Sequence, residues 1–361
     1  MLRWCISGTD IDEIEFELSK IGESTEGSKS DLVFRLIGRK MMIKSKNRQC
    51  KMRVYCFNDR HKWGKRLIRT IRKVQDIEYK LVKDPEEVID EIGSFVFVHP
   101  DHLNNRERDK EVIKRLSERK EVGFLPSIRE LQLYDEKISQ SVEFEGWLPE
   151  TWIFYDMDEA ENFLKTATFP LVSKSNEGAG SSNVRLLNSK EDAFSEIKDV
   201  FSGSGIERYT KPSMQKNGAK NFQSGYVLWQ EFLPSNAYDW RVVIVGGRFA
   251  WVLKRFNRED LPFASGSGKS EPITEMNDEI NEILTHTFRF VSEFSFNFAG
   301  VDLVRDKQGN LKILETTTGW GEAAYPSKVF MRSDEGTWVP TVFKGEDQMK
   351  IASLAMISSS L

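Results

Sequence analysis

Short continuous apolar runs alternate along this chain with stretches in which apolar residues recur every three or four positions. The first pattern predicts buried strands and the second amphipathic helices. Positions 2–7 read as a short strand, while Ile11, Ile14, Phe16 and Leu18 suit a helix or a strand. A polar break, GESTEGSKSD, separates them from an apolar run at 32–37. From residue 52 the rhythm is regular: a strand at 53–57, a basic helix over 60–75, a strand at 95–98 and a charged helix over 105–119. Val112, Ile113 and Leu116 mark the buried side of that last helix. Such alternation predicts a small α/β domain on a largely parallel sheet. Beyond it come a helix over 127–148, a strand at TWIFY, a helix over 156–164 capped by Asp156 or Asp158, and strands at 170–173 and 226–230. A helix starting at Asn277 or Asp278 carries the stripe Ile280, Ile283, Leu284, Phe288, Val291 and Phe294. Segments 202–224 and 258–273 read as loops, 320–329 as a helix, and the tail from 341 as partly amphipathic.

Two stretches place charges inside otherwise apolar patterns. Residues 240–253, WRVVIVGGRFAWVL, predict a hairpin turning on Gly246-Gly247, because two glycines accept the positive φ of a two-residue primed turn. That turn pairs Val245 with Arg248, Val243 with Ala250, Arg241 with Val252 and Asp239 with Lys254. It also puts Trp240, Val242, Ile244, Phe249, Trp251 and Leu253 on one apolar face. Asp239, Arg241 and Lys254 gather elsewhere, as an anion-handling corner or a surface ion network. Residues 299–319, AGVDLVRDKQGNLKILETTTG, predict a hairpin around 307–310 that pairs Asp306 with Leu311, Val304 with Ile313 and Asp302 with Glu315. Opposed side chains sit ~5 Å apart at Cβ. Two carboxylates so placed need a cation or a shared proton, unless the edge is solvated and the acids unrelated. Oxygen ligands favour Mg²⁺ or Mn²⁺, and Mg²⁺ commonly arrives with phosphates.

With 361 residues the chain has room for two or three domains. A net charge of −4 offers no general pull toward nucleic acid or an anionic membrane. The basic segment 38–53 lacks the interleaved aromatics of a nucleic-acid platform, and the basic stretch 60–73 reads as an amphipathic surface helix. Cys5, Cys50 and Cys56 are too scattered for a disulfide scaffold or a Cys-rich zinc site, which suits reduced cytosolic thiols. Among four histidines, His99 and His102 flank Asp101 in HPDHLNN, which reads as a strand-to-helix connection. No signal peptide or long apolar span is present, so a cytoplasmic protein outside the membrane is expected.

Lys174 precedes the loop SNEGAGSSN, in which Gly178, Gly180, Ser181 and Ser182 let backbone N–H groups converge on phosphate oxygens. No GK[ST] closes it, so it is not a Walker loop. A mobile hairpin without a ligand has the same composition.

In order, FPLVSKSNEGAGSSNV, VLWQEFLPSNAYDWRVVIVGG and AGVDLVRDKQGNLKILETTTG resemble the ATP-grasp superfamily, most closely its ribosomal-protein-S6 glutamate-ligase-like (RimK-like) branch of carboxylate-amine ligases. The resemblance covers 125–330. It implies an α/β and α+β protein: an ATP-grasp domain over 126–361, a small α/β domain over 51–125, and an extension of unknown role over 1–50. Within the ATP-grasp domain it implies a subdomain over 150–225, a hinge at 230–234, a catalytic subdomain over 235–330 and a C-terminal tail.

ATP is then expected between the two subdomains, with Lys174 on its phosphates and Gly178, Gly180 and Ser181 closing over them. Gln230, Glu231, Phe232 and Leu233 would lie beside adenine, and Asp239 near nucleotide or substrate. Arg241 would contact phosphate or acyl phosphate, with Lys254 or Arg255 close by. Asp302, Glu315 and Thr317 would hold Mg²⁺ or Mn²⁺. An upstream basic residue is expected as Arg129, with Lys137 the alternative. Two departures stand out: Thr317 replaces the family's asparagine ligand, and FASGSGKS leaves Lys269 where an arginine-bearing substrate loop is usual. The implied reaction joins a small-molecule or peptide carboxylate to an amine. A nucleotide-binding protein that has lost ligation and an ATP-dependent phosphotransferase remain open as other readings.

Overall fold

A computed structural model describes residues 52–57, 77–90, 94–98, 102–178, 183–203, 205–208, 221–234, 236–258, 261–264, 269–318, 328–333 and 335–342. The readings of 1–50, of the basic stretch 60–75, of His99 and of the tail beyond 342 lie outside the described residues.

The first sheet contains β1 (Met52–Phe57), β2 (Ile77–Leu81), β3 (Ser94–Val98) and β4 (Gly123–Leu125) in the order β2-β1-β3-β4, all parallel. Helix α1 (His102–Ser117) connects β3 to β4, and its Ile113 and Leu116 pack on Tyr55, Phe57, Val96 and Val98. Parallel neighbours need such a crossover.

Two short helices follow, α2 (Ile128–Leu133) and α3 (Lys137–Glu143), where the apolar pattern predicted one. Between them Asp135 adopts φ 56°, and its carboxylate accepts the Gly178 N–H at 2.9 Å. Aspartate tolerates the left-handed region better than most residues, and here a distant loop supplies the reason for the break. Ser127 and Glu130 form a capping box at the start of α2. Glu130 also accepts the Phe298 N–H at 2.6 Å, which ties α2 to the third sheet.

The second sheet is antiparallel, in the order β5-β10-β6-β7, from β5 (Thr151–Phe154), β6 (Leu171–Lys174), β7 (Val184–Leu187) and β10 (Val227–Glu231). Helices α4 (Met157–Phe163), capped by Asp156, and α5 (Lys190–Phe201), capped by Ser189, cover it around the fully buried Trp229. The predicted loop 202–224 contains a small pair, β8 (Ile206–Arg208) with β9 (Asn221–Gln223).

The third sheet is built from β11 (Tyr238–Val245), β12 (Phe249–Arg258), β15 (Phe298–Arg305), β16 (Leu311–Thr317), β17 (Lys328–Arg332) and β18 (Trp338–Val342), in the order β16-β15-β11-β12-β17-β18. Strands β13 (Leu261–Ala264) and β14 (Ser270–Ile273) also pair with β12, so 258–273 is not the loop the composition suggested. Lys328 and Val329 likewise begin a strand, not the end of a helix. Helix α6 (Asp278–Glu293), capped by Asn277, supplies Ile280, Ile283, Leu284, Phe290 and Val291 to the main core.

Both hairpins depart from the predicted register. The β11–β12 turn contains Gly246, Gly247 and Arg248, so Val245 pairs with Phe249, Arg241 with Leu253 and Asp239 with Arg255. A one-residue slip turns one strand's side chains over. Trp240, Val242 and Ile244 therefore share a face with Ala250, Val252 and Lys254, not with Phe249, Trp251 and Leu253. The β15–β16 turn is also longer, with Arg305, not Asp306, opposite Leu311 and Lys312, not Ile313, opposite Val304. A bulge at Leu314 then restores Asp302 opposite Glu315.

Phe144, at the C-terminus of α3, is fully buried and meets Phe290, Phe294 and Phe296 edge-on at 4.9, 4.8 and 5.9 Å between centroids. Phe144→Ala is expected to destabilise the fold by about 3–5 kcal/mol, read from a lowered urea midpoint. A loss below about 1 kcal/mol would show that the cluster closes over the cavity.

Candidate active site

A cleft lies between the second and third sheets. Val172, Lys174 and Gln230 face it from one sheet, Asp239, Arg241, Arg255, Asp302, Val304, Leu314 and Glu315 from the other, and Glu231, Phe232 and Leu233 cross between them. The charged residues on its wall are Lys137, Lys174, Arg241 and Arg255 against Glu231, Asp239, Asp302 and Glu315, so four positive groups balance four negative ones.

Lys174 ends β6 and donates from Nζ to Gln230 Oε1 at 2.7 Å, and Gln230 Nε2 donates to Thr151 Oγ1 at 2.9 Å. Burial pushes the Lys174 ammonium down to about 8. Lys137 acts in the same direction, while Glu315 and Asp302 oppose it. Lys137, the alternative to Arg129 in sequence, enters the cleft from α3. Its Nζ donates to the Gly178 carbonyl at 2.7 Å, lies 3.3 Å from Asp135 and 3.8 Å from Glu315.

Across β15, β11 and β12 the charges interlock. Arg241 and Asp302 are cross-strand partners whose groups meet in a two-point fork, Nε to Oδ1 and Nη2 to Oδ2 at 2.9 Å. Arg255 forks onto Asp239 at 2.7 and 2.6 Å, and its Nη2 also lies 2.7 Å from Asp302 Oδ2. Burial raises the Asp239 carboxyl to about 6, helped by the Asp302 charge and opposed by Arg255 and Arg241. Burial also acts to raise Asp302, but Arg241 and Arg255 prevail and hold it below the ordinary aspartate range.

Asp302 and Glu315 are opposed in register, yet their opposition does not by itself demand a metal: the compensating cations are two guanidiniums and Lys137. Among the described residues no three His, Cys, Asp or Glu side chains are grouped as a metal cage.

Other anticipated residues fall in different places. Lys254 lies across from Trp240 with Nζ 3.8 Å from the Tyr238 ring centroid and 5.7 Å from those of Trp240 and Phe256, and Arg255 takes the place beside Asp239. Lys269 is exposed near Phe256, outside the cleft wall. Arg129 pairs with Glu143 at 2.6 Å and lies against Phe294, also off the wall. Thr317 pairs with Gly300 on β15, on the sheet face that carries Asp302 and Glu315. Gly178 lines it with φ 125°, whereas Gly180 and Ser181 lie outside the described residues. The signal for Arg255 was present in the sequence, one residue from Lys254, but only the turn length selects between them.

No protein-family model matches this chain, and no curated protein matches it in sequence. Solved structures do match its fold. The ATP-grasp ligase PsnB with minimal precursor, Mg and ADP aligns with a TM-score of 0.50 at 14% identity over 85% of this chain and 98% of that one. PsnB with minimal precursor alone gives 0.51 at 14% over 85% and 99%. The Chryseobacterium gregarium RiPP-associated ATP-grasp ligase, in complex with ADP and a leader and core peptide, gives 0.51 at 11% over 85% and 96%. The fold is similar to that of these ATP-grasp ligases.

Removing Arg255 strands Asp239, which is 5% exposed. Arg255→Met is therefore expected to destabilise the protein by about 3 kcal/mol in urea unfolding at pH 8, and Asp239→Asn added to it to recover part of that loss. A single variant as stable as the parent would show that the pair contributes nothing net.

Proposed function

We propose that this protein is an ATP- and Mg²⁺-dependent carboxylate-amine ligase of the RimK-like branch, joining a small-molecule or peptide carboxylate to an amine. The observation carrying this reading is the convergence of Lys137, Lys174, Arg241 and Arg255 on one cleft between two sheets, beside the extended Glu231–Leu233 crossing. Val172, Val184, Val304 and Leu314 offer the apolar contacts a base needs, and the crossing offers backbone groups for its edge. On the same reading 51–125 is the preceding domain and 126–361 the ATP-grasp domain.

A triphosphate entering a charge-balanced cleft adds about four negative charges, which must be offset. Lys137 and Lys174 orient phosphate oxygens, while Arg241 and Arg255 hold phosphate and the carboxylate that attacks it. Asp302 and Glu315 suit Mg²⁺ or Mn²⁺ as hard oxygen donors, with Thr317 at most a weak neutral one. The ion supplies further neutralisation of phosphate oxygens when bound. The substrate carboxylate attacks the γ-phosphorus and ADP leaves; the amine then displaces phosphate and loses a proton, giving amide, ADP and phosphate. No side chain in the cleft is assigned as the base. A threonine at 317, where the resemblance implies an asparagine ligand, favours a second reading, a nucleotide-binding protein with weakened turnover. Profiling candidate metabolites and peptides with ATP, seeking ADP release and a product lighter by one water, tests the first. Tight ATP binding without stimulated turnover across that panel supports the second, and a stable phosphorylated product would instead identify a phosphotransferase.

Glu315→Gln is expected to lower Mg²⁺-dependent turnover at least about 100-fold in a folded protein, checked by ADP release. An unchanged Mg²⁺ dependence would remove Glu315 from the site. A second expectation follows from Lys174, whose ammonium titrates at about 8. Phosphate prefers the protonated form, so the ADP Kd should rise about fivefold between pH 8 and 9, and Lys174→Arg should abolish that slope. Stability of the free protein moves the other way: folding lowers this pKa, so its contribution improves as pH rises from 8 toward 10.5. Calorimetric titration with a flat pH profile would take Lys174 off the phosphates.

A further inference from the structure

Glu315 is loosely held by its own side chain. Among the described residues its carboxylate lies 3.8 Å from Lys137 and acts on the Lys174 charge, and about a third of the side chain is exposed. Its backbone lies where the sheet is least regular. β16 is an edge strand, and the bulge at Leu314 interrupts the β15–β16 ladder immediately before Glu315. A bulge re-aims the side chains beside it, so something else must set the angle at which Glu315 enters the cleft.

Gln140 occupies that position. It is 3% exposed, and its carboxamide pairs both ways with the residue after Glu315: Oε1 accepts the Thr316 N–H at 2.9 Å, and Nε2 donates to the Thr316 carbonyl at 3.1 Å. The same Nε2 donates to the Leu133 carbonyl at 2.8 Å, which fixes the amide's orientation. Gln140 thus completes the open edge of β16 as a neighbouring strand would. Its helix is anchored at the other end to the glycine-rich loop, where Lys137 N–H donates to the Asn176 carbonyl at 3.0 Å and Ile138 N–H to Asn176 Oδ1 at 2.9 Å.

We infer that Gln140 is the positioning residue for Glu315: by clamping the Thr316 peptide groups it aims the Glu315 carboxylate at the divalent ion of the nucleotide site. The inference rests on the proposed function, and the test separates the two. Mn²⁺ affinity is measured by electron paramagnetic resonance with ADP present, and ADP affinity by calorimetry in EDTA, for the full chain and for Gln140→Met, which keeps volume and loses the amide. Expected is an about tenfold loss of Mn²⁺ affinity with ADP binding in EDTA unchanged. Glu315→Gln added to Gln140→Met should weaken Mn²⁺ no further than Glu315→Gln alone, because the two residues act through one carboxylate.

Unchanged Mn²⁺ affinity in the folded variant, fully additive losses, or a parallel loss of ADP affinity in EDTA would each overturn the role. If Gln140→Met does not fold, Gln140→Glu keeps the acceptor and loses the donor. Weaker Mn²⁺ binding there, despite an added negative charge that favours cations, supports the clamp, and unchanged or tighter binding overturns it. Failure of the parent chain to bind ADP would instead remove the nucleotide reading on which the clamp depends.

Discussion

Two guanidiniums and two carboxylates alternate on one face of the third sheet, in the order Asp239, Arg255, Asp302, Arg241. Each is mostly shielded from water, and the desolvation of any one is offset by the next. Buried charges are tolerated on those terms and few others. The ladder also holds three strands in register at the cleft floor, because a fork between Arg241 and Asp302 exists only where β11 and β15 place them opposite each other. A planar guanidinium spans two oxygens of one partner and still reaches a second carboxylate, which a lysine ammonium does less well.

This arrangement changes what the acidic pair means. Opposed carboxylates on neighbouring strands raise an electrostatic demand, and the protein meets it internally with arginines. On the proposed reading, anionic phosphates compete for those same arginines and leave Asp302 available to a divalent ion, so the cleft exchanges one set of counter-ions for another. On that reading Lys174, lowered chiefly by burial and also by its neighbour Lys137, gains a further anionic partner when a phosphate enters.

Elements set by local chemistry were legible in the sequence. The helix start at Asn277 or Asp278, the 3–4 stripe that follows it, the strands at 53–57 and 95–98 with the charged helix after the second, and the strands flanking the glycine-rich loop match the described residues. These depend on neighbours within a few positions, and so do helix and strand periods. The break at Asp135 did not show, because its stabilising partner, Gly178, is far along the chain. Strands β13, β14 and β17 did not show either: their short, polar or proline-containing runs become strands because β12 offers an edge to pair with.

Register carries the sharper lesson. The pairing of Asp302 with Glu315 was readable although its turn was misjudged, since a longer turn and a bulge at Leu314 offset each other. The same miscount at Gly246-Gly247-Arg248 had no compensating bulge and exchanged Lys254 for Arg255 at the site. Taken by itself, the sequence determined which residue types are available: a glycine- and serine-rich loop after Lys174, apolar strands, and basic and acidic side chains set within them. Tertiary structure alone decided which cations reach the cleft and which acids they neutralise. Strand identity is a local property of apolar patterning, but which side chains meet depends on turn length and bulges, and a shift of one residue reverses the face that every side chain presents.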